Sequence, residues 1–365
     1  MRHKRAVDKP VLCNPWRGKR LPQQDALAAG EVETDARAAI ALFAACPTAA
    51  ATPLVEAPEL ARKLGIASLQ LKDERQRMGL GCFKALGAVH AIAKRAAAVA
   101  DIGDAEGMAR ALRGETFICA SAGNHGLSVA AGARLFGAQA VVLLAETVPE
   151  EFAERLRTRG ARVMRAGNHY EESMEVSKQL AAERGWNLLS DGSWEGYSDP
   201  ARDVMEGYLV MGHEAANQMG EPPTHVFLQA GVGGLAAGMT AAVRVRWGDD
   251  VTVVIVEPAA APALYASIEA GKVVDTIGPV SSMGRLDCKT PSHLALKYLA
   301  READFFQLVG DEQVDETLRL MAVHGAETTP SGGAGVGGLH HIGGDRETTG
   351  LTPSSRCYCI ISEQA

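Results

Sequence analysis

The chain is predicted to be an α/β protein with mostly parallel sheets flanked by helices on both faces. Three observations carry that prediction. Short β-rich runs recur along the chain, Ala-rich segments of helical length separate them, and 365 residues at 47% hydrophobic and 22% charged suffice to bury a large core. The strand runs fall at 68–71, 116–120, 140–144, 162–164, 187–189, 224–229, 251–256, 305–308 and 356–361. Apolar runs of this length, alternating with helices, are the pattern of strands covered on both sides. Leu, Val, Met and Ala recur at helical spacing over 124–136, 149–158, 170–184, 203–219 and 234–246. Pro149-Glu-Glu at one helix start and Gly160 after its end punctuate the series. Residues 82–190 read as a smaller domain inserted in a larger one formed by 1–81 and 191–365, with 1–30 as an irregular, partly wrapped arm.

A formal net charge of −7 and a pI near 5.8 argue against a nucleic-acid partner, which requires a basic face. The basic start, Arg2 to Arg5, is short and reads as a solvated tail. Seven cysteines, mostly inside apolar runs, predict reduced thiols in the cytoplasm. No Cys-x-x-Cys pair or zincin spacing occurs, so no metal site is expected. Neither a signal-like start nor a run of about 18 apolar residues occurs, so no membrane partner is expected.

Three segments carry chemistry. Lys84 follows Phe83 in Gly79-Leu-Gly-Cys-Phe-Lys-Ala-Leu-Gly-Ala88 and heads an Ala-rich helical run. Desolvation there is expected to lower the amine's pKa and favour the neutral nucleophile that forms a Schiff base. Gly231-Val-Gly-Gly-Leu235 follows an apolar run and opens a helix, so backbone amides converge on a phosphate-sized site, although a plain glycine turn fits the same residues. Ser121-Ala-Gly-Asn-His-Gly126 lies between a strand run and a helix, at the strand's carboxyl end where open sheets hold ligands. Its residues also suit helix capping. Gly333-x-Gly335-x-x-Gly338 matches a dinucleotide fingerprint formally, but no strand run precedes it and no acidic residue lies about 20 positions on. Residues 332–344 read as either an ordered wall or a mobile lid, and so many glycines favour mobility.

Together these segments resemble those of the fold-type II pyridoxal-phosphate family, which includes tryptophan synthase β, cysteine synthase and threonine dehydratase. The likeness extends through Thr52-Pro-Leu54, Leu71-Lys-Asp-Glu74 and Val256-Glu-Pro258. Trp194-Glu-Gly-Tyr197 and Gly284-Arg-Leu-Asp-Cys-Lys-Thr-Pro-Ser292 are similar to the branch that acts on diaminopropionate. The resemblance implies a two-domain, tryptophan synthase β-like fold, a homodimer, a small amino-acid substrate, and pyridoxal 5'-phosphate carried covalently on Lys84. It further implies that Phe83 packs beside the ring, Asn124 bonds the ring hydroxyl and Ser362 meets the pyridine nitrogen. Gly231, Val232, Gly233, Gly234 and Leu235 would cradle the phosphate, and Ser121, Gly123 and His125 would hold the substrate carboxylate. Asp191 would act near the substrate, donating a proton to a departing amine. Where the branch has an acidic residue before Gly-Asn-His-Gly this chain has Ala122, so an acid/base group for the second substrate enantiomer is expected to be absent.

The implied reaction is β-elimination. The freed Lys84 amine removes the α-proton while the cofactor delocalises charge, and a β-substituent departs. Diaminopropionate would give pyruvate and two ammonia. The Ser121-Ala122 loop keeps a serine, threonine or hydroxyaspartate dehydratase open as an alternative. Ser362-Glu363-Gln364, standing where the family has Ser-Thr-Glu-Gly, keeps open a degenerate, non-catalytic homologue.

Overall fold

Two sheets organise the computed structural model, which describes residues 10–121 and 123–365; Arg2 to Arg5 and Ala122 lie outside the described residues. In chain order the strands are β1 (Val11–Cys13), β2 (Leu54–Glu56), β3 (Ser68–Asp73), β4 (Thr116–Ala120), β5 (Gln139–Leu144), β6 (Arg162–Arg165), β7 (Asn187–Leu188), β8 (His225–Gln229), β9 (Thr252–Pro258), β10 (Phe305–Val309) and β11 (Arg356–Ile361). The larger sheet runs β1-β10-β9-β8-β11-β3-β2 and the smaller β6-β5-β4-β7. The smaller sheet is parallel throughout, and only the edge strands β1 and β2 of the larger one are antiparallel.

All nine expected strands are present; most are buried runs rich in β-branched or aromatic residues, whereas β6 and β7 at the edges of the smaller sheet are only half-buried. Missed were β1 and β2, three-residue edges that expose part of each pair of faces and carry no readable alternation. β1 turns the expected irregular arm into a docked segment. It pairs with β10, and Asn14 Nδ2 then donates to the carbonyls of Ala300 and Ala303 at 2.8 and 2.6 Å.

The glycine-rich stretch is helical over most of its length. It forms a buried helix, Pro330–His340, started by Thr329, whose hydroxyl accepts from Gly332 N at 3.0 Å, with Pro330 in the first turn. Its glycines are a packing requirement. A Cβ on Gly335 would lie 2.8 Å from the Phe227 carbonyl oxygen of β8, and one on Gly338 would lie 2.5 Å from Val256 Cγ2 of β9. The helix therefore rests directly on the sheet, and close approach outweighs the entropy cost of glycine.

The motifs at Thr52 and Leu71 to Glu74 form a buried charge cluster. Arg77, fully buried, donates to Glu74 Oε1 at 2.7 Å and Glu214 Oε2 at 2.6 Å. Lys72 Nζ meets Glu214 Oε2 at 2.8 Å, and Thr52 Oγ1 donates to Glu74. Each charge has a partner, as burial demands. Among the described residues no helix is long and apolar enough to cross a membrane.

Candidate active site

Three strand ends converge on Lys84. Beyond β11 the chain pairs with residues 81–83: Phe83 N donates to Ser362 O at 3.0 Å, Gln364 N to Gly81 O at 3.0 Å, and Cys82 bridges Glu363. This short ladder ends where Lys84 opens the helix Lys84–Ala97, and Ser128 Oγ fixes the turn by donating to the Lys84 carbonyl at 2.7 Å. Phe83 packs against Tyr208, ring centroids 5.1 Å apart, with the Lys84 amine 5.3 Å from the Phe83 centroid.

Lys84 Nζ is ion-paired with Asp191, both side chains about four-fifths buried. Asp191 owes its position to the Trp194-Glu-Gly-Tyr197 motif, a tight turn with stacked rings 4.2 Å apart. Tyr197 Oη accepts from Ser190 N at 2.8 Å and donates to Leu188 O at 3.1 Å, tying the loop to β7. Ser193 and Ser292 hydroxyls, 2.8 Å apart, link the same loop to Val232, whose carbonyl accepts from Ser292 N.

The electrostatics run opposite to the sequence expectation at Lys84. Burial disfavours the ammonium, but the facing Asp191 carboxylate and the neighbouring Tyr208 oxygen outweigh it and raise the amine above the ordinary lysine range. Burial acts on Asp191 to raise its pKa, and Lys84 and His125 overcome this and hold the carboxyl well below the usual range. Desolvation alone predicts a neutral amine; the missing element was a carboxylate 107 residues away in sequence.

At the end of β8, Gly233 takes φ +100° and caps the helix Gly234–Trp247 without any side-chain cap bond, so the first amides of that helix stay available. A Cβ on Gly233 would lie 3.0 Å from Ala295 Cβ, and one on Gly231 3.0 Å from Cys288 Sγ. Leu235 is buried one residue on. The residues 231–235 thus form a cradle with uncapped donors, fit for a phosphate.

At the end of β4, Ser121 Oγ accepts from the amides of Gly123 and Gly126 at 3.2 and 3.1 Å, so that hydroxyl shapes the loop. Asn124 begins the helix Asn124–Leu135 and is buried. His125 Nε2 lies 2.8 Å from the Leu189 carbonyl, which can only accept, so Nε2 carries the proton. Nδ1 is then an acceptor, buried without a partner among the described residues, and burial lowers the ring's pKa. In this state His125 offers no second donor for a carboxylate.

Ser362 is buried beside Phe83 through its backbone. Sequence reasoning missed its neighbour Glu363, whose carboxylate accepts from Asn124, Arg285 and Thr329. It also missed Tyr208, 1% exposed, wedged so closely that a Cβ on Gly87 would lie 2.7 Å from its ring. Tyr208 sits within an amphipathic helix and carries no local motif; Glu363 was legible only as a departure from a pattern. No group of three or more His, Cys, Asp or Glu among the described residues could hold a metal.

Comparison with known proteins agrees with this geometry. The family model for pyridoxal-phosphate dependent enzymes matches residues 46–363. Diaminopropionate ammonia-lyase of Escherichia coli K12 is 33% identical over 281 residues, 74% of this chain and 70% of that protein. The human L-serine dehydratase/L-threonine deaminase is 32% identical over 199 residues, 54% of this chain and 58% of that protein. The crystal structure of the Escherichia coli diaminopropionate ammonia-lyase with D-serine superposes with a TM-score of 0.86 at 27% identity, covering 97% of this chain and 93% of that one. A primary amine beside a carboxylate, a buried amide and an uncapped helix start fit the aldehyde, ring hydroxyl and phosphate of pyridoxal phosphate. The chain belongs to the pyridoxal-phosphate-dependent enzymes and is a carbon–nitrogen lyase of the ammonia-lyase/dehydratase group that uses pyridoxal phosphate.

Proposed function

We propose that the chain eliminates the β-amino group of 2,3-diaminopropionate, giving pyruvate and two ammonia. Pyridoxal phosphate, bound through Lys84, supplies the electron sink. The observation that carries the substrate choice is the Lys84–Asp191 ion pair. A site that stabilises an ammonium at Asp191 in the absence of substrate also suits the β-ammonium of diaminopropionate once the lysine amine is engaged elsewhere. That ammonium departs as neutral ammonia and needs no added proton. A serine or threonine hydroxyl does need one, and an ionised Asp191 has none to give. Asp191 therefore acts here as an anion that holds the leaving group, in place of the proton donor expected from sequence.

The freed Lys84 amine, close to that carboxylate, takes the α-proton. Asn124 takes the ring hydroxyl and the amides of 231–235 the phosphate, with Phe83 against the ring and Ser362 at its nitrogen. Ser121, through its remaining O–H proton, and the Gly123 loop receive the α-carboxylate; His125 supports the loop from the Leu189 side. The placement of β4 to β7 between residues 116 and 188 supports 82–190 as a smaller domain inserted between 1–81 and 191–365. Seven free thiols, four of them buried, support a cytoplasmic setting, and the homodimer is tested by light scattering.

The deciding experiment supplies the purified holoenzyme with diaminopropionate, serine, threonine and hydroxyaspartate and measures 2-oxo acid and ammonia. Two ammonia per pyruvate, with kcat/KM for diaminopropionate at least roughly tenfold above serine, is expected. A preference for a hydroxyl substrate refutes the ammonia-lyase reading, and inactivity of a cofactor-loaded protein on all four supports a non-catalytic homologue.

A further inference from the structure

Glu363 has no assigned part in the reaction proposed above, yet it is almost fully buried, at 2% exposure, beside the groups that are assigned one. It follows Ser362 and bridges Cys82, two residues before Lys84. One carboxylate oxygen accepts from Asn124 Nδ2 at 2.5 Å. The other accepts from Arg285 Nη1 at 2.8 Å and from the Thr329 hydroxyl. Arg285 is itself held, its backbone N–H donating to Ser331 Oγ at 3.1 Å. A buried carboxylate with three donors, one of them a guanidinium, is a fixed element.

We infer that Glu363 is a positioning residue that fixes the orientation of the Asn124 amide and, through it, the protonation of the cofactor's ring oxygen. The inference rests on the reading of Lys84 and Asn124 as cofactor-binding. An asparagine amide has two N–H donors on one side and an acceptor on the other. With one N–H committed to Glu363, the amide cannot turn over without setting Oδ1 against a carboxylate oxygen. Asn124 thus keeps its second N–H as the group available to a ligand. A donor facing an aromatic hydroxyl favours the ionised oxygen, and the shared proton then rests on the nitrogen linking Lys84 to the ring. An amide turned over would present an acceptor and draw that proton back onto the oxygen.

The two protonation forms absorb at different wavelengths, so the effect is read in the spectrum of the resting holoenzyme without turnover. In E363Q the remaining carbonyl oxygen stays with the Arg285 guanidinium and the new N–H₂ faces Asn124, so the asparagine amide loses its fixed orientation. The ratio of the long- to the short-wavelength cofactor band is expected to fall roughly fivefold, the loss of one net hydrogen bond from one side of a two-state balance. N124A should show the same fall, and the double variant E363Q/N124A no further change. An unchanged ratio in E363Q, or additive changes in the double variant, overturns the inference; a merely structural Glu363 would lower thermal stability with the ratio intact. If E363Q does not fold, R285A, at a side chain 37% exposed, decides instead: a fall in the ratio supports the inference and an unaltered ratio overturns it. Borohydride reduction of the wild-type holoenzyme with peptide mapping separates the underlying reading. Trapping at Lys84 with an unaltered E363Q spectrum defeats only the role of Glu363, whereas no trapping at Lys84 defeats both.

Discussion

Replacing Asp191 by asparagine keeps the side chain's size and reach and removes the charge that faces Lys84. Two unit charges about 4 Å apart interact by about 4 kcal/mol at the effective dielectric typical near a protein surface, enough to move a titration by about three pH units. About a fifth of each side chain still reaches solvent, so we take half of that, about one to two pH units, as the expected effect. The sign follows from the two opposing influences on the amine. Burial lowers its pKa and the carboxylate raises it, so D191N leaves burial with less opposition and the amine loses its proton at lower pH. The assay is the rate at which cofactor-free protein captures pyridoxal phosphate, followed by absorbance across pH, because only the neutral amine attacks the aldehyde. D191N should reach its half-maximal rate about one to two pH units below wild type. The same variant should also lose its preference for diaminopropionate over serine, since no anion remains to hold the β-ammonium. A midpoint that stays in place or moves upward refutes the account of the pair.

Three further outcomes follow from the packing and charge around this site. G335A should unfold at lower temperature, because overpacking of about 1–3 kcal/mol against Phe227 exceeds the helix gain of about 1 kcal/mol, while G344A, with open space around its new methyl, should stay within about 0.5 kcal/mol of wild type. E214Q should lower the urea midpoint by an amount equivalent to about 3 kcal/mol, because Lys72 and Arg77 keep buried charges with one partner fewer. Burial pushes the Glu257 carboxyl up to about 8 from 4.5, although the amides of Leu264 and Tyr265 donate to it. A carboxyl raised on folding contributes fully below pH 4.5 and loses that contribution as pH rises through about 8, by at most about 5 kcal/mol. Urea unfolding near pH 5 and pH 8 should therefore show a falling stability in wild type that flattens in E257Q.

What the sequence revealed and what it hid divide along a physical line. Strands, helices, the glycine cradle and Lys84 were legible because each is written in contiguous residues: an apolar run, a 3.6-residue period, a turn before a helix. The glycine stretch at 332–338 is ambiguous in the sequence for the complementary reason. Thr329-Pro330 is a helix-start signal and the run that follows has no charge to break it, but composition alone pointed to mobility, and only the sheet beneath shows that a Cβ would collide there. The charge states were hidden entirely. Whether the Lys84 amine is neutral depends on Asp191, 107 residues on, and the environment of Asn124 depends on Glu363, 239 residues on. Local desolvation is only one of two opposing influences of similar size, so a sequence that displays one of them does not determine even the sign of the outcome. For this reason the chemistry of the site turns on the pairs the fold assembles, Lys84 with Asp191 and Asn124 with Glu363, more than on any single residue a motif can name.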